Sequence, residues 1–353
     1  MHRGAGWVVA LCAMATYILN ANAGTFIDPL SQPAAPSDKI VHSRLMAVAG
    51  NDRTLVAVGP LGHILVSDDR GQDWTQAPSP LSTDLVAVRF FGERKVWAVG
   101  HDGVILHSED AGRTWVRQLD GNQVLDILRG QLDRLAKSTD ADLTRTRSEL
   151  ERFIADGAAK PFFDIAFLNE DEGFAVGPFN LALRTVDGGK QWQPINTLTE
   201  NPEGLHLYGL TVAQKKVWLV GERGLVRYWD SAAQRFKSVD TPYKGSYFGI
   251  VGGRGTLLAF GMRGRAVRSI DDGRTWTSVD TGAQGAIAGG TEMSDGRIVL
   301  VTLAGEVLVS RTQGATFKLQ RLLKPMPYFS VVQAGPDSVA LVGALGVRIE
   351  SLM

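Results

Sequence analysis

Cysteine is almost missing from this chain: among 353 residues the one cysteine is Cys12, inside an apolar stretch near the start. Once that stretch is removed, no thiol remains, which excludes a disulfide, a cysteine nucleophile and a cysteine metal site. A charge of one sign is missing too. Lys and Arg number 37 against 37 Asp and Glu, a balance that argues against nucleic acid or a charged membrane surface as partner. The apolar run Trp7 to Leu19 is too short to span a bilayer comfortably. The five histidines beyond the start, His42, His63, His101, His107 and His206, show no metal-ligand spacing. No Gly-x-Ser-x-Gly elbow, P-loop or dinucleotide fingerprint occurs. The common catalytic classes therefore find no support, and neither a metal nor a cofactor is expected.

The start itself reads as an export signal over residues 1–23. His2 and Arg3 precede the apolar run, and Ala21-Asn22-Ala23 supplies small residues for cleavage before Gly24. A mature chain in the periplasm is expected, over residues 24–353. An uncleaved anchor or a buried first helix is the alternative.

Glycine is abundant, at 40 residues, and it punctuates short apolar runs. One unit reads Leu85 to Phe91, a turn, Lys95 to Gly100, a turn, Val104 to Ser108, and then Thr114-Trp115-Val116. These are three strand-like runs and a fourth led by Trp. The end of the second run recurs at Gly59, Gly100, Gly177, Gly221, Gly261, Thr302 and Gly343, with spacings of 41, 77, 44, 40, 41 and 41. Four short strands per period of about 40 residues describe a propeller blade. The expected fold is an all-β, seven-bladed β-propeller. Blade seven lacks a Trp-type strand of its own, and residues 25 to about 31 resemble one. They are expected to supply it and so close the ring.

A second signature rides on the repeat. Ser67, Asp69, Gly71 and Trp74 stand at fixed offsets, and so do Ser108, Asp110, Gly112 and Trp115, and Ser269, Asp271, Gly273 and Trp276. Asp187, Gly189 and Trp192 form a near match. This is the Asp-box. A turn explains it: the Asp oxygen accepts backbone N–H groups, Gly supplies positive φ and Trp packs the hairpin. A Ca²⁺ loop would need roughly six to eight oxygens, so scaffolding is the better reading.

The 77-residue spacing leaves a surplus between blades two and three, within residues 121–160. Leu125, Leu128, Leu132 and Leu135 recur at helical intervals. Ser138-Thr139-Asp140 makes a turn, and Leu143, Leu150, Phe153 and Ile154 share a side of a second helix. The spacing predicts a helical hairpin. Either it folds back on the propeller, or its seam of Leu128, Leu132 and Leu150 is an arm for a partner on one flat face.

Two further sets invite a functional reading. Arg184, Arg227, Arg268 and Arg348 lie on third strands, with Arg223, Arg263 and Arg265 on the turns before them. Brought together around a central channel, they would form a basic patch for an acidic partner. Dispersed, they would form local ion pairs. Asp102, Asp164, Glu222 and Glu306 stand near turns, and two carboxylates facing one groove would allow glycosidase chemistry. Glycan binding or hydrolysis is therefore the alternative function.

Residues 96 to 115, Val-Trp-Ala-Val-Gly-His-Asp-Gly-Val-Ile-Leu-His-Ser-Glu-Asp-Ala-Gly-Arg-Thr-Trp, carry a resemblance to the photosystem II stability/assembly factor family. It extends over residues 41 to 353, apart from the insertion. The resemblance implies a seven-bladed propeller of the thylakoid lumen or periplasm that holds a membrane subunit during assembly without catalysis. It also implies binding through an arginine cluster. The insertion departs from the family pattern and suggests a periplasmic relative outside photosynthesis, acting as a monomer. Its partner would be a membrane-protein complex, an export system or a photosystem subunit.

Overall fold

The computed structural model describes residues 27–51, 53–136 and 143–352. Among them lie six four-stranded antiparallel sheets and one three-stranded sheet, each a simple meander in chain order. The first strands, such as Leu85–Phe91 and Leu207–Ala213, surround a central axis. Each touches its two neighbours, and the first strand of blade seven, Tyr328–Gly335, touches that of blade one, Ala47–Gly50. The propeller expected from the repeat is the fold observed.

Its core is divided into seven inter-blade layers. Blades four and five, for example, bury Trp218, Val220, Tyr247, Leu257 and Trp276 between them. Blades seven and one bury Ala340, Val342, Val48, Leu55 and Leu65. Both faces of each sheet are therefore covered, which is why the second strands read as unbroken apolar runs. The anchoring glycine has a steric cause. A Cβ at Gly100 would overlap the Asp84 carbonyl, and one at Gly343 would overlap that of Pro327. The chain entering each blade crosses the end of the second strand at backbone contact distance.

Residues 27 to 31 add no strand to blade seven, whose sheet has three strands among the described residues. The described part of that segment, from Ile27, turns as a short 3-10 helix at Pro29–Ser31. It lies against blades one and two, where Ser82 N–H donates to the Pro29 carbonyl at 2.9 Å and Arg117 to that of Leu30 at 2.9 Å. From there the chain follows the outer strand of blade one, through Ala34 N–H to the Ser79 carbonyl, and Ile40 and Val41 pack beside Val347 of blade seven. Residues 27–43 thus form an irregular strap over the seam. Prolines at positions 29, 33 and 36 explain why it cannot be a strand: each lacks the N–H a ladder needs. Residues 1–26, with the expected signal, lie outside the described residues.

The insertion is the expected hairpin, formed by α1 (Gly121–Ala136) and α2 (Leu143–Ala155). Asp120 and Gln123 cap α1 reciprocally. Asp120 Oδ1 accepts the N–H of Asn122 and Gln123, and Gln123 Oε1 accepts that of Asp120. Val124, Leu128, Leu150 and Phe153 join Phe162, Leu181 and Trp192 in one core between blades two and three. The turn expected at residues 138–140 and the side chain of Leu143 lie outside the described residues. No described helix is long and apolar enough to cross a membrane.

Candidate protein-binding face

In an antiparallel meander, the turn from second to third strand and the linker to the next blade fall on the same face. The structure ties them together. In blade two, Gly121 N–H donates to the Asp102 carbonyl at 2.6 Å, and Gly103 N–H to that of Lys160 at 2.9 Å. In blade four, Gly224 N–H donates to the Gly245 carbonyl. The hairpin therefore rises from this face. The Asp-boxes occupy the opposite face, where Ala111 N–H meets the Arg94 carbonyl and Gly188 N–H that of Asp171.

The boxes behave as turns. Asp271 Oδ1 accepts the Ser269 hydroxyl and the Thr275 N–H at 2.8 and 2.9 Å, while the Trp276 indole donates to the Gly273 carbonyl. Asp69 and Asp110 repeat this with Ser67, Gly71 and Trp74, and with Ser108, Gly112 and Trp115. Asp187 repeats it with Thr185 and Gly189, and Trp192 is buried beneath. The hydrogen bond from Thr275, then those from its backbone and from Ser269, pull the Asp271 carboxyl down to about 2. Blade six keeps the geometry without an acid: Thr312 takes the Asp position and accepts from Thr316 N–H at 2.9 Å.

The third-strand arginines do not converge on the channel; they clamp blades together. Arg184 forms an ion pair with Glu172 at 2.7 Å, lies over the Trp229 ring of blade four at 4.9 Å and donates to Gln234. Arg268 donates to the Gln313 carbonyl of blade six. Arg227 donates to the Glu200 carbonyl in the linker from blade three, and Arg348 to that of Lys324 in the linker from blade six. The physical reason is register. Arg184 and Arg268 pair with residues three before the anchoring glycine, Arg227 and Arg348 with residues two before it. One position of difference reverses the direction of a side chain. The third strand is in any case two strands away from the axis.

The turn arginines do lie on the hairpin-bearing face. Arg223 is exposed and paired with Glu203. Arg263 and Arg265 sit exposed on the blade-five turn, and no described acid pairs with either. The leucines of the hairpin seam are not offered to a partner: Leu128 is 2% and Leu150 4% exposed, and Leu132 packs beside them. Each of the four acids has a partner within the fold. Asp164 is buried with Arg89 at 2.7 Å and accepts Leu210 N–H, tying blades two, three and four. Glu222 accepts His206 N–H, Glu306 accepts Gln284 N–H and Asp102 accepts the Thr83 hydroxyl. Among the described residues no group of three or more His, Cys, Asp or Glu is placed to hold a metal ion.

The sequence reading missed the most regular feature of this face. Each inner strand is entered by a fully buried residue, such as Leu207 or Tyr247, and the next residue is half-exposed at the channel mouth. Through the seven blades that position is Met46, Val86, Phe163, Tyr208, Phe248, Ala288 and Phe329. In most blades it is a bulge, with the register slipping between Leu207 and Gly209 and between Tyr247 and Gly249; a bulge re-aims its side chain. Phe163 and Tyr208 lie 5.6 Å apart, as do Tyr208 and Phe248, so three blades form a continuous aromatic arc. Burial and then Glu222 raise the pKa of Tyr208. Around the mouth, Leu61 is 60%, Phe179 57% and Leu345 57% exposed on the turns of blades one, three and seven.

Comparison with known proteins follows the same lines. A family model described as photosynthesis system II assembly factor YCF48 matches residues 148–320, from the second helix through blade six. The chain resembles the photosystem II assembly factors. The photosystem II assembly lipoprotein Ycf48 of Synechococcus sp. (strain CC9902) is 26% identical over 157 residues, 43% of this chain. That match spans about half of the relative, 47% of its length. A solved structure of YCF48 bound to a D1 peptide superposes over 91% of this chain and 99% of its own, with a TM-score of 0.62 at 16% identity. The streptogramin B lyase structure reaches 0.66 at 10% identity, over 90% and 97%. At such identities both show the fold alone.

Proposed function

We propose that the chain is an exported, non-catalytic assembly factor that holds an extracytoplasmic segment of a membrane-protein complex on its hairpin-bearing face. The observation that carries this is the channel mouth: seven equivalent half-exposed positions, four of them aromatic, with exposed Leu61, Phe179 and Leu345 around them. Contiguous exposed apolar surface on a soluble fold marks an interaction site. The likeness to the Ycf48 family favours a photosystem or other membrane complex as partner. The insertion favours a bacterial relative outside photosynthesis. Export to the periplasm rests on residues 1–23, and the lipoprotein relative supports it. Because each of the four acids is already engaged, Asp164 by blades two and four and the other three by their own linkers, protein binding is favoured over glycan hydrolysis.

The test is capture from membranes with a photo-crosslinking residue at single positions. Phe179 or Leu345 should yield a specific membrane-protein adduct, whereas Gln72 or Arg274, on the Asp-box face, should not. Equal adducts from both faces, or none from either, would sink the proposal.

A further inference from the structure

Six blades end in a fourth strand, whereas blade seven ends among the described residues at its third, Gly346–Ser351. In the four-stranded blades the outward carbonyls of the third strand are taken. Ile195 N–H donates to the Ala182 carbonyl in blade three at 2.9 Å, and Val239 N–H to that of Val226 in blade four at 3.0 Å. The ladder of blade seven shows which groups it leaves over. Gly346 lies opposite Gly343 and Ser351 opposite Ser338, and Leu352 N–H donates to the Asp337 carbonyl at 2.8 Å. Antiparallel pairs alternate between hydrogen-bonded and non-bonded. Gly346, Arg348 and Glu350 therefore turn their N–H and C=O groups to the second strand, and Val347, Ile349 and Ser351 turn theirs outward. No described residue donates to or accepts from that outer edge. Such an edge is a template for another strand.

The edge is complementary to itself. With a second copy antiparallel to it and Ile349 opposite Ile349, Val347 falls opposite Ser351, so the outward groups of one copy meet those of the other. The positions between are the non-bonded pairs, where side chains approach most closely, and there Arg348 of each copy faces Glu350 of the other. Arg348 gives one nitrogen to the Lys324 carbonyl, which leaves further donors on its guanidinium. Glu350 is half-exposed and pairs with no described cation. Ile349 is 39% exposed, and the blade-six linker leaves Leu323 fully exposed one residue from Lys324. Neighbouring blades radiate away on either side, so this part of the rim can approach a second rim.

We propose that the protein self-associates through the open edge of blade seven, two copies pairing their Gly346–Ser351 strands antiparallel about a two-fold axis at Ile349, with reciprocal Arg348–Glu350 pairs. Three strands from each copy join as one continuous sheet, and the interface is isologous. The strand runs from the hairpin-bearing face towards the Asp-box face, so the two copies point their hairpin-bearing faces in opposite directions and leave both open. The contact stands at the small end of specific interfaces, which makes the dimer concentration-dependent. The inference is independent of the docking role proposed above.

The experiment is sedimentation equilibrium of the full-length mature protein over a wide concentration range, where a monomer–dimer equilibrium is expected. Arg348→Glu and Glu350→Arg should each weaken self-association about tenfold or more, because like charges then face each other at two places. Mixing the two variants should restore association as a mixed dimer, and so should both changes in one chain; a bond from Arg348 to its own linker predicts neither. Ile349→Pro removes an outward N–H and no bond to the second strand, so it should give a monomer whose thermal unfolding stays near that of the parent. Amide exchange at Ile349 should slow only in the dimer. A monomer at every concentration, a dimer that survives Ile349→Pro in folded protein, or charge variants that form no mixed dimer would each overturn the inference. Protection of Ile349 in the monomer would also overturn it, by showing the edge already filled by the chain's own first residues.

Discussion

At the scale of single residues, the same residue type does different work depending on register. Gly273 in the blade-five box has φ +79, and a Cβ there would overlap the Trp218 ring of blade four. Gly273→Ala is therefore expected to cost about 2–4 kcal/mol, the sum of left-handed strain and overpacking, read as a lowered midpoint in denaturant unfolding. The box acids set an acid limit on stability. The Asp271 carboxyl is held at about 2 against an ordinary 3.8, by Thr275 first, so the folded state binds its proton more weakly than the unfolded chain. Its contribution is complete above 3.8 and is lost as pH falls towards about 2. Asp271→Asn should lower the melting temperature at neutral pH and flatten its fall across that window. An unchanged slope would show that the carboxylate is not what the turn relies on. The arginines divide in the same way. Arg184→Ala removes an ion pair and a stacked contact and should lower stability. Arg263→Ala should leave it within about 0.5 kcal/mol.

At the scale of elements, the hairpin was legible because its leucines recur at helical spacing amid strands of period two. That it folds back on the propeller was not, because Leu128 looks the same whether it meets Phe162 of its own chain or a partner. Leu128→Ala or Leu150→Ala should each cost about 2–5 kcal/mol. Thermal or denaturant unfolding tests this, and a loss of membrane capture at unchanged stability would contradict the packing. The strap was misread for a different reason. Residues 25 to 31 resemble the outer strand of blade six in side chains, but Pro29 stands within them and Pro33 and Pro36 follow, and none can donate to a ladder. The seam is held by Ile40 and Val41 instead. Removing residues 27–43 should speed amide exchange in blades one and seven before the other blades; uniform exchange would deny the strap that role.

At the scale of the molecule, the blade count could be read from seven anchors, because a glycine at a backbone crossing and a Trp over its own turn are local constraints. The binding face could not. The residue after the first buried one of an inner strand is, in any single blade, an ordinary strand residue; only the superposed ring makes Phe163, Tyr208, Phe248 and Phe329 neighbours around one mouth. Likewise the chain alone left open whether the arginines cluster or disperse; the alternation of the pleat turns Arg184 and Arg268 towards the following blade and Arg227 and Arg348 towards the preceding linker. What remains on the hairpin-bearing face is an apolar mouth edged by Arg223, Arg263 and Arg265. The most direct measurement is the amide-exchange footprint of the protein bound to the membrane partner it captures. Protection is expected in the turns at residues 59–63, 177–181, 261–265 and 343–346 and at the start of the inner strands, with the boxes at 67–74 and 269–276 exchanging as in the free protein. Protection confined to the boxes, or to the outer strands, would contradict the assignment of this face.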